Sequence, residues 1–312
     1  MAEKSKKPEV RIHLLLGTHL TAEEAEFIRE PFQKCDIFIP EAVERGHSDQ
    51  EEFFNQISQG CVYVDKFFEL DQSMLPFEIR EFEIMSGSQK MIWVCDIPYY
   101  YVGDGLAWLK EGGNYCYPGT FENALSALEE DIRICALAQR RRERYIVQNI
   151  RWRIRALLRT DEEMRQKKGL NILMFMGSFH TNVGHQLAKK FQFTRTFHTL
   201  PLVYPPVVEV MRRFAFGKTV DQEMLAQIFL SEYFATFFCS LSGRKKIFTY
   251  ALDAPMLAWV RKLNVGFEEI KALWSPRAGG ITKRRLKNFL LARGHQIPKT
   301  TEELKNLFLP QR

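Results

Sequence analysis

Short, nearly continuous apolar runs along the chain alternate with longer stretches in which apolar residues recur at helical spacing. Val10 to Leu16, Cys35 to Ile39, Met91 to Cys95 and Ile172 to Met176 are the runs, each of strand length and each closed by a glycine or by an acid with a proline within two residues. Such runs read as buried strands. Thr21 followed by Glu23 and Glu24 predicts a capped helix with an acidic first turn, running toward Arg29 and stopped by Pro31. Residues 48 to 87 read mostly as helix, with CVYVD at 61 to 65 as a short strand or break. Phe121 to Lys168 holds neither proline nor glycine and predicts one long helix or a hairpin of two. A helix from Asn182 to Phe191 and a strand from Phe193 to Pro201 follow the fourth run. This alternation predicts an α/β fold, a mostly parallel central sheet flanked by helices.

Beyond Pro205-Pro206 the pattern changes. Residues 206–216, 220–240, 246–263, 266–274, 281–292 and 301–308 all have helical periodicity, and no strand pattern stands out. Two parts are therefore expected: an α/β core over 10–205 and an all-helical C-terminal extension over 206–312.

Composition narrows the class. The 312 residues are 46% hydrophobic and 26% charged, as in a globular protein. Six cysteines, at 35, 61, 95, 116, 135 and 239, form no CxxC pair, which argues against a zinc knuckle or a disulfide framework. The segment MAEKSKKPEV lacks the apolar stretch of a signal peptide, and no apolar run is long enough to span a bilayer, so a cytoplasmic protein is expected. The net charge of +6 permits an anionic partner without demanding one. Arginines between 140 and 159 interleave with isoleucine, tryptophan and leucine as on an amphipathic, solvated helix, which argues against nucleic acid. Arg277 to Lys299, seven basic residues and no acid, is a stronger patch but lacks aromatic stacking partners.

The candidate chemistry sits where the strands end. Gly17 is followed by His19, and Gly177 by Ser178, Phe179 and His180; Glu41 follows the second run, and Asp96 the third. Parallel strands of one sheet present their carboxyl ends to one crevice, so these four side chains are expected together. Two imidazoles and one or two carboxylates can hold a divalent metal that activates water, or can work without one, a histidine acting as general base and a carboxylate orienting it. Arg142, Tyr145, Ile146 and Asn149 fall on one helical face that adds a cation to the set.

In order along the chain, GTHL, DIFIPEAV, RERYIVQNI and NILMFMGSFHT resemble the motifs of the Tiki/TraB superfamily, which takes in pheromone-shutdown proteins, ChaN-like haem-uptake lipoproteins and erythromycin esterases. The resemblance covers roughly residues 10 to 200. It implies His19 and His180 as paired histidines, Glu41 as the acid and Arg142 as the helix arginine, with His19, Glu41 and His180 as ligands where a metal (Mn, Co or Zn) is used. The first turn, G-T-H, is one residue shorter than the family pattern, which predicts a displaced His19 ring and gives His180 the larger role. Glu143 stands where Asp or Asn is usual, and Ile146 where methionine is. The expectation is a hydrolase, with metal-dependent cleavage of a peptide or ester bond in a peptide or small-molecule substrate. A non-catalytic haem- or small-molecule-binding or signalling module on the same fold is the alternative.

Overall fold

A computed structural model describes residues 8–17, 19, 22–41, 50–62, 76–97, 116–198, 206–241, 256, 258–298, 303 and 306. They fall into two compact units, one within 1–103 and 140–200, the other within 104–139 and 201–312.

The first unit is an α/β sandwich. Strands β1 (Glu9–Gly17), β2 (Ile37–Pro40), β3 (Met91–Ile92), β4 (Gly169–Gly177) and β5 (Gln192–Phe197) form one sheet in the order β3-β2-β4-β1-β5, with every pair parallel. Both faces are covered, which is why the central strands read as continuous apolar runs rather than alternating ones. Ile12, Leu14 and Leu16 of β1 face one side with Ile172, Met174 and Met176 of β4; there Ile146, Val147, Ile150 and Ile154 of a long helix, α4 (Phe121–Thr160), pack on them. Leu15, Phe38, Leu173 and Phe175 face the other side, under α1 (Ala22–Lys34), α2 (Gln50–Ser58) and α3 (Pro76–Met85). After α4 come α5 (Glu162–Gln166), a 3-10 turn at Ser178–His180 and α6 (Thr181–Leu187).

The second unit holds the first part of α4, then α7 (Pro206–Ala215), α8 (Gln222–Leu241), α9 (Phe267–Leu273) and α10 (Lys283–Ala292). Phe121, Leu125, Leu128 and Ile132 of α4 pack with Phe229, Phe234 and Phe238 of α8 and with Trp274 in its core. No helix among the described residues is long and apolar enough to cross a membrane.

Several local expectations change. Pro31 lies inside α1 instead of ending it, because Phe32 completes the buried stripe begun by Ala25 and Ile28, and core packing outweighs one missing backbone bond. The third strand stops at Ile92: side chains of α2 take its backbone groups, Asn55 bonding both the N–H and the carbonyl of Ile92, and Glu51 accepting from Val94 N. Of the two readings left open for 121–168, the single helix holds over residues 121–160. The helix expected to reach Phe191 ends at Leu187, where Ala188 N bonds Gly184 O. The C-terminal region is not wholly helical, since Trp274–Ser275 (β6) and Gly280–Ile281 (β7) make a small antiparallel ladder outside the central sheet. Cys61 and Val62 are not strand, and residues 63–65 of that expected strand lie outside the described residues.

Candidate functional site

Parallel register puts the two glycines side by side. Gly17 of β1 pairs with Gly177 of β4, and Pro40 of β2 pairs with Phe175 on the other edge of β4. The residues that follow therefore leave the sheet at one end, in the crevice where α/β sheets carry their ligands. His19, Glu41, Arg142 and His180, together with Asp96, meet there.

Glu41 is the hub. Its Oε1 accepts from Arg142 Nη2 at 2.7 Å and faces His180 Nε2 at 3.0 Å, while its Oε2 accepts the backbone N–H of Gly177. Gly177 makes that approach possible: a β-carbon there would stand 3.0 Å from Oε2. Arg142 grips a second carboxylate with the same planar fork, donating from Nε to Asp96 Oδ1 at 2.8 Å and from Nη2 to Asp96 Oδ2. The Asp96 side chain is 1% exposed, so its charge is matched by Arg142 inside the protein. Burial alone would raise the Glu41 pKa, but the charges of His180 and Arg142 and the hydrogen bonds it accepts hold it well below the usual carboxylate range. The Arg142 pKa is raised by its two carboxylates against the opposing effect of burial.

The two histidines differ in kind. His180 is fully buried and its Nε2 serves Glu41. Glu143, also buried, lies in the same pocket, holding Asn182 Nδ2 at 2.9 Å through Oε2 while its Oε1 has no hydrogen-bond partner; burial raises its pKa. His19 has a side chain 21% exposed, and its ring rests on Phe175 and Phe77 with centroids 4.5 and 5.0 Å away. Its Nε2 lies 3.3 Å from Glu41 Oε2, an ionic contact off the line of a hydrogen bond, and this buried nitrogen has no hydrogen-bond partner. His19 has φ +60°, a conformation that costs a non-glycine residue energy. Burial lowers the His19 pKa, but Glu41, Glu81 and Glu24 together outweigh it, so the pKa is raised.

Two residues near the site escaped the sequence reading. Glu24 on α1 is buried, with Oε1 3.7 Å from His198 Nδ1. Glu81 on α3 is 8% exposed and burial pushes its pKa up to about 8. Each acid stands in an otherwise amphipathic helix, and an acid at a position that helical spacing assigns to the packed face is the signal that would have found it. Tyr145, grouped with Arg142 by helical spacing, points to solvent, while Ile146 is core and Asn149 Nδ2 reaches Cys95 O at 3.4 Å.

A divalent cation would need Glu41, His19 and His180 to direct lone pairs at one point. Glu41 instead gives Oε1 to Arg142 and His180 and Oε2 to Gly177, beside a permanent positive charge. As arranged, these side chains do not fit a cation, and among the described residues no group of three or more His, Cys, Asp or Glu is placed to share one. The arrangement can take a proton at His19 and hold the resulting imidazolium against Glu41. Compared with protein-family models, curated proteins and solved structures, the chain matches none.

Proposed function

We propose that this chain is a hydrolase in which His19 is the general acid–base, Glu41 its counter-ion, and Arg142 and His180 the groups that fix Glu41. The observation that carries the reading is His19 Nε2, a shielded nitrogen with no hydrogen-bond partner, 3.3 Å from a carboxylate that three donors hold as an anion. The His19 side chain is 21% exposed, and a water at that open edge of the ring gives up a proton to the imidazole as its oxygen adds to an ester or amide carbonyl. The imidazolium so formed is stabilised by Glu41 and returns the proton to the leaving oxygen or nitrogen. Shielding of Nε2 from bulk solvent strengthens its contact with Glu41 as the ring becomes charged. The resemblance of the motif order to that of the Tiki/TraB superfamily points the same way, toward small-molecule esters or peptides as substrates. Free thiols at Cys35, Cys61, Cys95, Cys116 and Cys135 suit a reducing compartment such as the cytoplasm.

The test assays purified protein, His19→Ala and Glu41→Gln on ester and peptide panels, with metal content measured in each and folding checked by thermal melting. Hydrolysis lost in both variants, with no bound metal in any sample, is the expected result. Stoichiometric Mn, Co or Zn that disappears in His180→Ala would return the site to metal chemistry. A wild-type protein inactive on every panel member that still binds a small ligand or haem at this crevice would favour the non-catalytic reading.

A further inference from the structure

The half of α4 in the first unit carries eight arginines between Arg140 and Arg159, and no lysine. Three of them turn inward: Arg142 to the site, Arg151 to Gln186 O at 2.8 Å, and Arg153 to Glu51 with its guanidinium over Trp93. Arg141, Arg144, Arg155 and Arg159 are different. All four are exposed and make no ion pair or hydrogen bond among the described residues. At 100° per residue they project with Tyr145, Gln148 and Trp152 into a single arc of about 100°, extending about 27 Å along the helix. The buried Ile146, Val147, Ile150 and Ile154 hold this helix to the sheet by its other side, and the only acid from Arg140 to Arg159, Glu143, is buried.

In the structure Trp152 is 64% exposed, beside the arginines, with Tyr145 at 37% two turns away. Tryptophan is highly buried on average, so an exposed indole set among cations calls for a contact. Arg141 with Arg144 and Arg155 with Arg159 are like charges at i,i+3 and i,i+4, which weaken a helix standing alone and which a bound polyanion would relieve.

We propose that this face binds single-stranded nucleic acid, the four guanidinium groups taking phosphates while Trp152 and Tyr145 stack bases. Arginine matches phosphate with a planar fork and stacks on π-systems, and aromatic platforms within a basic track are what sequence-tolerant single-strand binding uses. An anionic membrane fits less well, because a helix lying in a bilayer surface needs a continuous apolar face and this one offers two rings, two turns apart and set among cations. The surface is separate from the proposed hydrolytic crevice, toward which Arg142 turns.

The experiment is fluorescence anisotropy with a labelled oligo-dT 15-mer and an oligo-U 15-mer, repeated across salt concentrations. Four phosphate contacts predict a slope of log K against log salt of about −3. Trp152→Ala should weaken binding roughly 5- to 100-fold, and Arg155→Gln with Arg159→Gln should flatten the slope by about 1.4, each with an unchanged melting temperature. Absence of binding at low salt, or binding indifferent to these substitutions, overturns the proposal. So does capture by phosphatidylserine vesicles that excess oligonucleotide fails to compete.

Discussion

Arg142 Nη2 lies 2.7 Å from Glu41 Oε1, joining residues 101 positions apart, and the same guanidinium holds Asp96 through two nitrogens. One side chain therefore fixes the acid that follows β2 to the acid that follows β3. Lysine has a single point of charge and cannot reproduce the fork. Arg142→Met, which leaves two carboxylates without their cation, should destabilise by on the order of 3–5 kcal/mol in urea unfolding. Arg142→Lys should cost less stability yet lower hydrolysis by about 10- to 100-fold, since Glu41 loses its orientation. Full activity in Arg142→Lys would remove the arginine from the site's working parts.

The paired glycines make opposite predictions. A β-carbon on Gly17 would meet the Phe175 ring at 2.7 Å and Glu24 Oε1 at 2.9 Å, both in packed surroundings. Gly17→Ala should accordingly lose about 1–3 kcal/mol of stability by overpacking. Gly177 has φ −60°, which any residue adopts, and its β-carbon would meet only the Glu41 carboxylate closely. Gly177→Ala should melt near the wild-type temperature while hydrolysis falls about 10-fold or more, because Glu41 must move off the backbone N–H. Equal losses of stability in the two variants would contradict this division.

The fold and the site were legible in the sequence to different depths. Strand ends could be read because a buried parallel strand is a continuous apolar run, and its termination at Gly17, Pro40 or Gly177 marks where a polar side chain enters the crevice. In the sequence reading His180 has the larger role, whereas the proposed function gives the proton to His19 and leaves His180 to hold Glu41. That depends on burial and on which nitrogen meets Glu41, and both are set by packing across the sheet. Glu24 and Glu81 were hidden for a related reason, since helical periodicity treats an acid as solvent-facing by default. Pro31 shows the converse, a strong local stop signal overruled by the core contacts of Phe32.

His19 gives a pH signature. Its pKa is raised above the ordinary 6.5, the carboxylates of Glu41, Glu81 and Glu24 outweighing burial, so the imidazole becomes a neutral base only above that value. Hydrolysis should fall on acidification through a limb lying above pH 6.5. The same shift adds stability that is fully present below pH 6.5 and is lost as pH rises through the folded-state pKa. Proton NMR of the imidazole, assigned by its disappearance in His19→Ala, reads the pKa without any substrate. A midpoint at or below 6.5 would mean that Glu41 does not act on this ring as its counter-ion.

Glu81 supplies the last prediction, one that needs no assay of function. Its carboxyl is buried on α3 near the His19 ring, and burial pushes its pKa from 4.5 to about 8. Between those two values the unfolded chain releases a proton that the folded chain keeps, so the folded state binds more protons and stability falls as pH rises. The cumulative cost by pH 8 is on the order of 4–5 kcal/mol at most. Glu81→Gln keeps the shape and removes the titration. Because His19 and Glu143 drift in the same direction, the informative quantity is the difference between variant and wild type in urea unfolding, taken at pH 4.5, 6 and 8. That difference should be near zero at pH 4.5 and grow in favour of the glutamine variant toward pH 8. A constant difference across the range would show that Glu81 ionises at an ordinary pH, and that the charge facing His19 on this side is a full carboxylate at neutrality.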